Sequence, residues 1–242
     1  MTYCVGVLLD SGLVLASDSR TNAGVDQIGT FRKMTVYERP GERVIVLLSS
    51  GNLAVTQAVV SLMDHKVKEN LESLWSISSL YQAACLVGET LREVHKRDGP
   101  HLRQHNVDIS AGFILGGQIS GEKHRLFSIY TEGNFIEATP DTPYFQNGEL
   151  KYGKPILDRA ITSSSTLSEA AKCVLVSFDS TMRSNLSVGM PVDLLCYEQN
   201  SLKVGCHRRF MEHDPYFDLI KRQWQEGLRR LLGELPDPHW ES

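Results

Sequence analysis

Hydrophobic and polar positions divide the chain into blocks of period two and blocks of helical period. TYCVGVLL, the signal DSG and LVLASDS form the pattern of a β-hairpin with Gly12 in its loop. A polar excursion, TNAGVDQIGT, comes next. FRKMTVYE then alternates, and RVIVLLSS is a continuous apolar run that suits a strand covered on both faces. After Gly51 the period changes. Val55, Val59, Leu62 and Met63 mark one helix, and Leu80, Ala84, Val87, Leu91 and Val94 a second. The second helix has Ser78 or Ser79 as its N-cap and Gly99-Pro100 as its expected stop. Strand patterns return in VDISAGFILGG, HRLFSIYTEG and NFIEATP, with Gly116-Gly117 and Thr131-Glu132-Gly133 read as strand ends or turns. A helical section opens near KYGKPILDRAI, and its second helix begins with a capping box, Thr166 and Glu169. VDLLCYE and LKVGCH predict two more strands. An amphipathic helix over about 214–235, with Phe217, Ile220, Trp224, Leu228, Leu231 and Leu235 on its apolar side, closes the pattern.

The order of strands, two helices, strands, two helices, strands and one helix predicts an α+β chain. No linker, repeat or low-complexity segment interrupts it, so residues 1–242 read as a single domain. Apolar strands such as RVIVLL need cover on both sides, which a four-layer αββα sandwich of antiparallel sheets supplies.

Composition narrows the function. The 242 residues are 41% hydrophobic and 22% charged, with a formal net charge of -4, so no basic surplus points to nucleic acid. No apolar run reaches the roughly 20 residues of a membrane span, and the start lacks the charged and apolar regions of a signal peptide; a cytoplasmic protein is expected. Cys4, Cys85, Cys173, Cys196 and Cys206 are scattered and form no CxxC pair. Neither a metal, nor a disulfide framework, nor any cofactor is expected. No GxxxxGK[ST] motif occurs, so any energy-driven unfolding of a substrate falls to a separate unfoldase.

Short motifs then fall in a set order: Thr2, Gly6, VLASDSRT at 14–21 with Asp18 and Thr21, Lys33 in FRKMTV, and SSG at 49–51. Each alone has a bland reading. Thr2 is a strand starter, Asp18 a turn residue, Lys33 a solvated lysine. Together they resemble the proteasome β-subunit family of N-terminal nucleophile hydrolases. TYCVG, SRTNAGVD and NGELKYGKPILDR make the chain most similar to the bacterial Anbu (ancestral β-subunit) group.

The resemblance implies a threonine peptidase in which Thr2, freed by removal of Met1, is the nucleophile. Threonine is small enough at the second position for that processing. A threonine hydroxyl needs a base, and the adjacent α-amine, with an ordinary pKa of about 8, can serve. Lys33 would lower that pKa by like-charge repulsion and favour the alkoxide, and Asp18 would hold Lys33. Backbone N–H groups at Gly51 would bind the oxyanion, and Thr21 and Gly51 would clamp an extended peptide. Phe31 and Ser49 either line the pocket for the side chain before the cut or serve packing. Ser187 matches the family serine in Arg183-Ser184-Asn185-Leu186-Ser187-Val188-Gly189, or is a turn former; Ser184 stands where the family has aspartate. The family's Gly-Ser-Gly-Ser turn corresponds to Asn147-Gly148-Glu149-Leu150, in which Glu149 is a candidate replacement carboxylate. Peptides or unfolded chains are the implied substrates, and a homo-oligomer, ring or open spiral, the implied assembly. The terminal helix packs either on its own subunit or on a neighbour. Two other readings stand beside the peptidase: a catalytically weak or inactive assembly subunit, and an amidase for another amide substrate.

Overall fold

The computed structural model describes residues 2–22 and 28–238. Its elements run β1 (Tyr3–Leu9), β2 (Gly12–Asp18), β3 (Arg20–Asn22), β4 (Ile28–Thr30), β5 (Met34–Arg39), β6 (Arg43–Gly51), α1 (Leu53–Lys68), α2 (Leu80–Gln104), β7 (Ala111–Ile119), β8 (Arg125–Ile129), β9 (Phe135–Glu137), β10 (Tyr144–Gly148), α3 (Lys154–Ala160), α4 (Leu167–Ser184), β11 (Val192–Glu198), β12 (Cys206–Phe210) and α5 (Pro215–Glu234). The α+β class follows. Two five-stranded antiparallel sheets have the orders β10-β1-β2-β11-β12 and β5-β6-β7-β8-β9, and β3 and β4 form a separate ribbon.

Strand pleating explains the unbroken apolar runs. Successive side chains of a strand point to opposite faces. In β6, Ile45 and Leu47 enter a core shared with α1 and α2, whereas Val44, Val46 and Leu48 enter a core shared with β2 and β11 of the other sheet. In β1, Val5, Val7 and Leu9 join a core with α3 and α4, and Cys4 joins the inter-sheet core. Both faces of each central strand are therefore dry.

Local signals set the helix starts. Ser79 accepts a hydrogen bond from the Gln82 N–H and is the N-cap of α2. Thr166 and Glu169 close the capping box of α4 reciprocally.

Four local expectations are corrected. The α2 helix passes through Gly99-Pro100 to Gln104; the proline removes one intrahelical bond, and Leu102 packing on the core beyond it keeps the last turn in place. Gly116 and Gly117 lie inside β7, where a Cβ on Gly117 would sit 2.1 Å from the Val44 carbonyl oxygen. They mark close chain approach, not a strand end. Gly12 opens β2 rather than sitting in the turn, at φ +145°. LKVG is not part of β12, which begins at Cys206. The helix α5 buries only Phe217 fully.

Candidate active site

The ends of β1, β2 and β6 converge with the segment before β5. Asp18, the last residue of β2, is fully buried, and Lys33 is 5% exposed. The Lys33 ammonium donates to Asp18 Oδ1 at 2.6 Å and to the Arg20 carbonyl at 2.7 Å. Asp18 Oδ1 also accepts the Tyr3 N–H at 3.1 Å, and Oδ2 accepts the Gly189 N–H at 3.3 Å. One carboxylate thus links the ammonium, the residue after Thr2 and the turn that carries Ser187. Burial pushes the Asp18 carboxyl above its ordinary range, against the pull of Lys33.

Backbone pairing holds Lys33 in place. The Ser49 N–H and hydroxyl both donate to the Lys33 carbonyl, at 2.8 and 3.3 Å. The Phe31 N–H donates to the Ser19 carbonyl at 2.9 Å, fixing the approach to Lys33. Phe31 itself is 42% exposed, and Thr21 keeps a buried hydroxyl with no hydrogen-bond partner. Ser49 therefore belongs to the Lys33 cluster by contact. Phe31 lies on the approach to it.

Thr2 is 8% exposed. Its carbonyl accepts the Glu149 N–H at 2.7 Å, and Gly148 pairs with Tyr3 in the sheet. Gly148 has φ +85°, and a Cβ there would fall 1.9 Å from the Thr2 carbonyl oxygen, so only glycine fits against Thr2. Met1 lies outside the described residues.

Glu149 has a second connection that its place in the sequence does not announce. Its carboxylate accepts the Asn185 amide at 2.7 Å and the Lys151 N–H at 3.0 Å, and Asn185 Oδ1 accepts the Ser187 N–H at 2.9 Å. The Lys151 N–H, with Asn185, holds the Glu149 carboxyl below its ordinary range although partial burial opposes this. The turn after β10 and the turn bearing Ser187 are joined through this carboxylate. Ser184 is exposed, and Asp179 pairs with Arg183 at 3.1 Å rather than with the site. Replacing Glu149 by Gln should keep one acceptor but remove the charge. We expect a Tm within a few degrees of wild type, read by calorimetry.

Arg20, in the VLASDSRT motif, and Gly189, at the end of the Ser187 stretch, are further site residues whose contact the sequence does not announce. The Arg20 guanidinium donates to the Leu186 carbonyl at 3.0 Å, and a Cβ on Gly189 would meet it at 2.2 Å. Their contact depends on chain segments far apart in sequence, which local periodicity cannot report.

Gly51 ends β6 at φ +96°, just before the Asn52 N-cap of α1. A Cβ would lie 2.2 Å from the Ser110 carbonyl oxygen, so the backbone would have to shift. Gly51→Ala should cost about 3 kcal/mol in urea unfolding through strain and overlap. An open cleft of about 270 Å³ runs from Ser50 and Gly51 past Gly112 to Asn147 and Gly148, the glycine packed on Thr2. Among the described residues, larger clefts such as those of about 390 Å³ beside Asp10 and Ser164 and about 300 Å³ beside His124 lie away from the buried ion pair; chemistry, not size, singles out the smaller one. Among the described residues, no group of three or more His, Cys, Asp or Glu is placed to hold a metal ion, and no helix is long and apolar enough to cross a membrane.

Neither a scan of family models nor a search of curated proteins found a match. Solved structures did. Anbu (ancestral β-subunit) from Yersinia bercovieri is 50% identical over 99% of this chain and 100% of its own, with a TM-score of 0.93. The Anbu complex from Pseudomonas aeruginosa, solved as a helical assembly, is 52% identical over 98% of both chains, with a TM-score of 0.94. Anbu from Hyphomicrobium sp. strain MC1 is 48% identical over 98% of this chain and 100% of its own, with a TM-score of 0.89. At that identity and coverage, with the strand order and the Asp18–Lys33 pair described above, the chain belongs to the Anbu, or ancestral β-subunit, group of proteasome-type proteins.

Proposed function

We propose that the protein is a threonine-type N-terminal nucleophile peptidase, with Thr2 as nucleophile after loss of Met1, working within a homo-oligomer. The observation that carries this reading is the buried Asp18–Lys33 pair whose carboxylate also holds the Tyr3 N–H. An ion pair withdrawn from water costs several kcal/mol of desolvation, so a merely structural pair gains little. Next to an N-terminal threonine it has a use. The ammonium lowers the amine pKa and stabilises the alkoxide, and Asp18 fixes its position.

In the proposed reaction the neutral Thr2 α-amine takes the proton from the hydroxyl. The alkoxide attacks the peptide carbonyl, and the oxyanion is bound by backbone N–H groups at Gly51. The amine returns the proton to the leaving nitrogen, giving an ester on Thr2. Water, activated by the same amine, hydrolyses that ester. Thr21 and Gly51 clamp the substrate chain, with Ser49 and Phe31 beside the residue before the cut. Ser187 supports the amine, and Glu149, tied to Asn185, replaces the carboxylate absent at Ser184. Peptides and unfolded chains are the substrates, and a separate unfoldase would deliver folded ones.

The three apolar cores support stacking of the elements as four layers, helices outside and sheets inside, in one domain. The protein works in the bacterial cytoplasm without nucleic acid, membrane or cofactor. The homo-oligomer, a ring or open spiral, is supported by the helical assembly of the Pseudomonas relative. The exposed Ser184 favours one other reading, an inactive assembly subunit. Intact mass and N-terminal sequencing, followed by a peptide-library assay, separate the two. Removal of Met1 with library cleavage supports the peptidase, and retained Met1 without cleavage supports the assembly subunit.

A further inference from the structure

Strands β11 and β12 set two cysteines opposite one another. Cys196 is the register partner of Cys206, and neither takes part in the hydrolytic machinery. Directly opposed residues of antiparallel strands have Cα atoms about 4.5–5.5 Å apart and side chains on the same face. A disulfide spans Cα separations of about 4.4–6.8 Å. The register therefore meets the distance requirement without movement of the backbone.

Access favours reaction too. The strand β12 is the edge of its sheet; Cys206 is exposed, and Cys196 is half-buried at the margin of the core under α4. Burial, with Cys206 beside it, pushes the Cys196 thiol up to about 11. That makes Cys196 the poorer first nucleophile, while exposed Cys206 is the one an incoming reagent meets. The remaining cysteines lie on β1, α2 and α4, outside this pair.

We propose that Cys196 and Cys206 form a reversible cross-strand disulfide by exchange with a low-molecular-weight disulfide of the glutathione class. The Cys206 thiolate attacks one sulfur of the small disulfide. A sulfur–sulfur bond forms to Cys206, and the other half leaves as a thiolate that takes up a proton. Cys196, its proton passed to solvent, then attacks the Cys206 sulfur and expels the second half as a thiol. One small disulfide is reduced to two thiols, and two cysteines are oxidised to one disulfide. Excess small thiol reverses both steps, so in a reducing compartment the link stays open until the thiol pool is oxidised.

The bond would tie the edge strand, which leads directly into α5, to the strand beside β2. The other end of the same strand pair is already held, because Arg209 of β12 reaches Asp193 of β11 at 2.6 Å and Asp193 accepts from Ser19, the neighbour of Asp18. The disulfide thus closes the one end of the ladder that side-chain ion pairing leaves to the cysteines.

The test uses the native full-length protein, kept folded with oxidised glutathione, then acid-quenched, alkylated and digested for peptide mapping. The expected product is a Cys196–Cys206 linked peptide, removed by dithiothreitol and about tenfold more abundant than any other cysteine pairing, since the partners are held at high effective concentration. Cys196→Ser should stop at a glutathione adduct on Cys206, and Cys206→Ser should yield neither product. Wild-type protein that retains glutathione on Cys206 without closure, or that links either cysteine mainly to a second copy, overturns the proposal.

Discussion

Replacing Thr2 by Ala should abolish peptide hydrolysis and leave the fold and assembly unchanged. Thr2 is held by its backbone: its carbonyl accepts from Glu149, and Gly148 packs against it. Alanine keeps all of that and keeps the α-amine once Met1 is removed. Only the hydroxyl and a methyl group go. The proposed ester then cannot form, and turnover should fall by about 10⁴-fold or more. Stability should change by about 1 kcal/mol or less, the usual net effect of one hydroxyl. Fluorogenic peptide turnover, thermal melting and sedimentation read the three quantities. Unchanged turnover would place the nucleophile elsewhere.

Lys33→Ala has two large expected effects, and they differ in kind. The variant leaves Asp18, fully buried, without its ammonium partner. Breaking a buried pair from one side costs about 3–5 kcal/mol. Activity should fall by about 10³-fold, because the hydroxyl loses the charge that favours its ionised form. Asp18→Asn should lower both activity and stability: the amide oxygen still accepts from the Tyr3 N–H, but its nitrogen faces the Gly189 N–H and the buried ammonium loses its counter-charge. Chemical denaturation with steady-state kinetics separates these outcomes; a Lys33→Ala protein with wild-type turnover would remove Lys33 from the mechanism.

The same pair sets a pH dependence. Burial raises the Asp18 carboxyl above the ordinary aspartate pKa of about 3.9. A group raised in the folded state contributes stability that is complete below its unfolded pKa and is lost as pH rises through its folded one. Acidification across that window therefore costs no stability through Asp18. It does protonate the carboxylate that holds Lys33. The acid limb of kcat/KM should lie above the ordinary aspartate range, in protein that is still folded at that pH.

What could be read from sequence depended on how local the cause was. The β1–β2 turn, the two-faced burial of β6, the Ser79 cap and the Thr166 capping box are written in neighbouring residues, and each appears in the structure. The course of α2 beyond Pro100 and the place of Gly116-Gly117 inside β7 depend on packing partners elsewhere in the chain, so local rules misjudged them. The strand β10 is short and exists through pairing with β1, far away in sequence, whereas β3 and β4 are three-residue strands that pair only with each other. At the site, the order Thr2, Asp18, Lys33, Gly51 was legible, and the Asp18–Lys33 contact joins two of its members. The Glu149–Asn185 bond joins residues 36 positions apart. Sequence offered only a carboxylate in an unusual place. Arg20 and Gly189 each lie in a recognisable motif, but nothing local pairs them, because their contact exists only once β2 and the Ser187 turn are assembled.

The most direct measurement is peptide mapping of the native protein after brief reaction with a peptidyl active ester and an acid quench. An acyl group on Thr2, in an N-terminal peptide that begins with threonine, is the expected result. An N-terminal peptide that retains Met1 and carries no acyl group on Thr2 would contradict it.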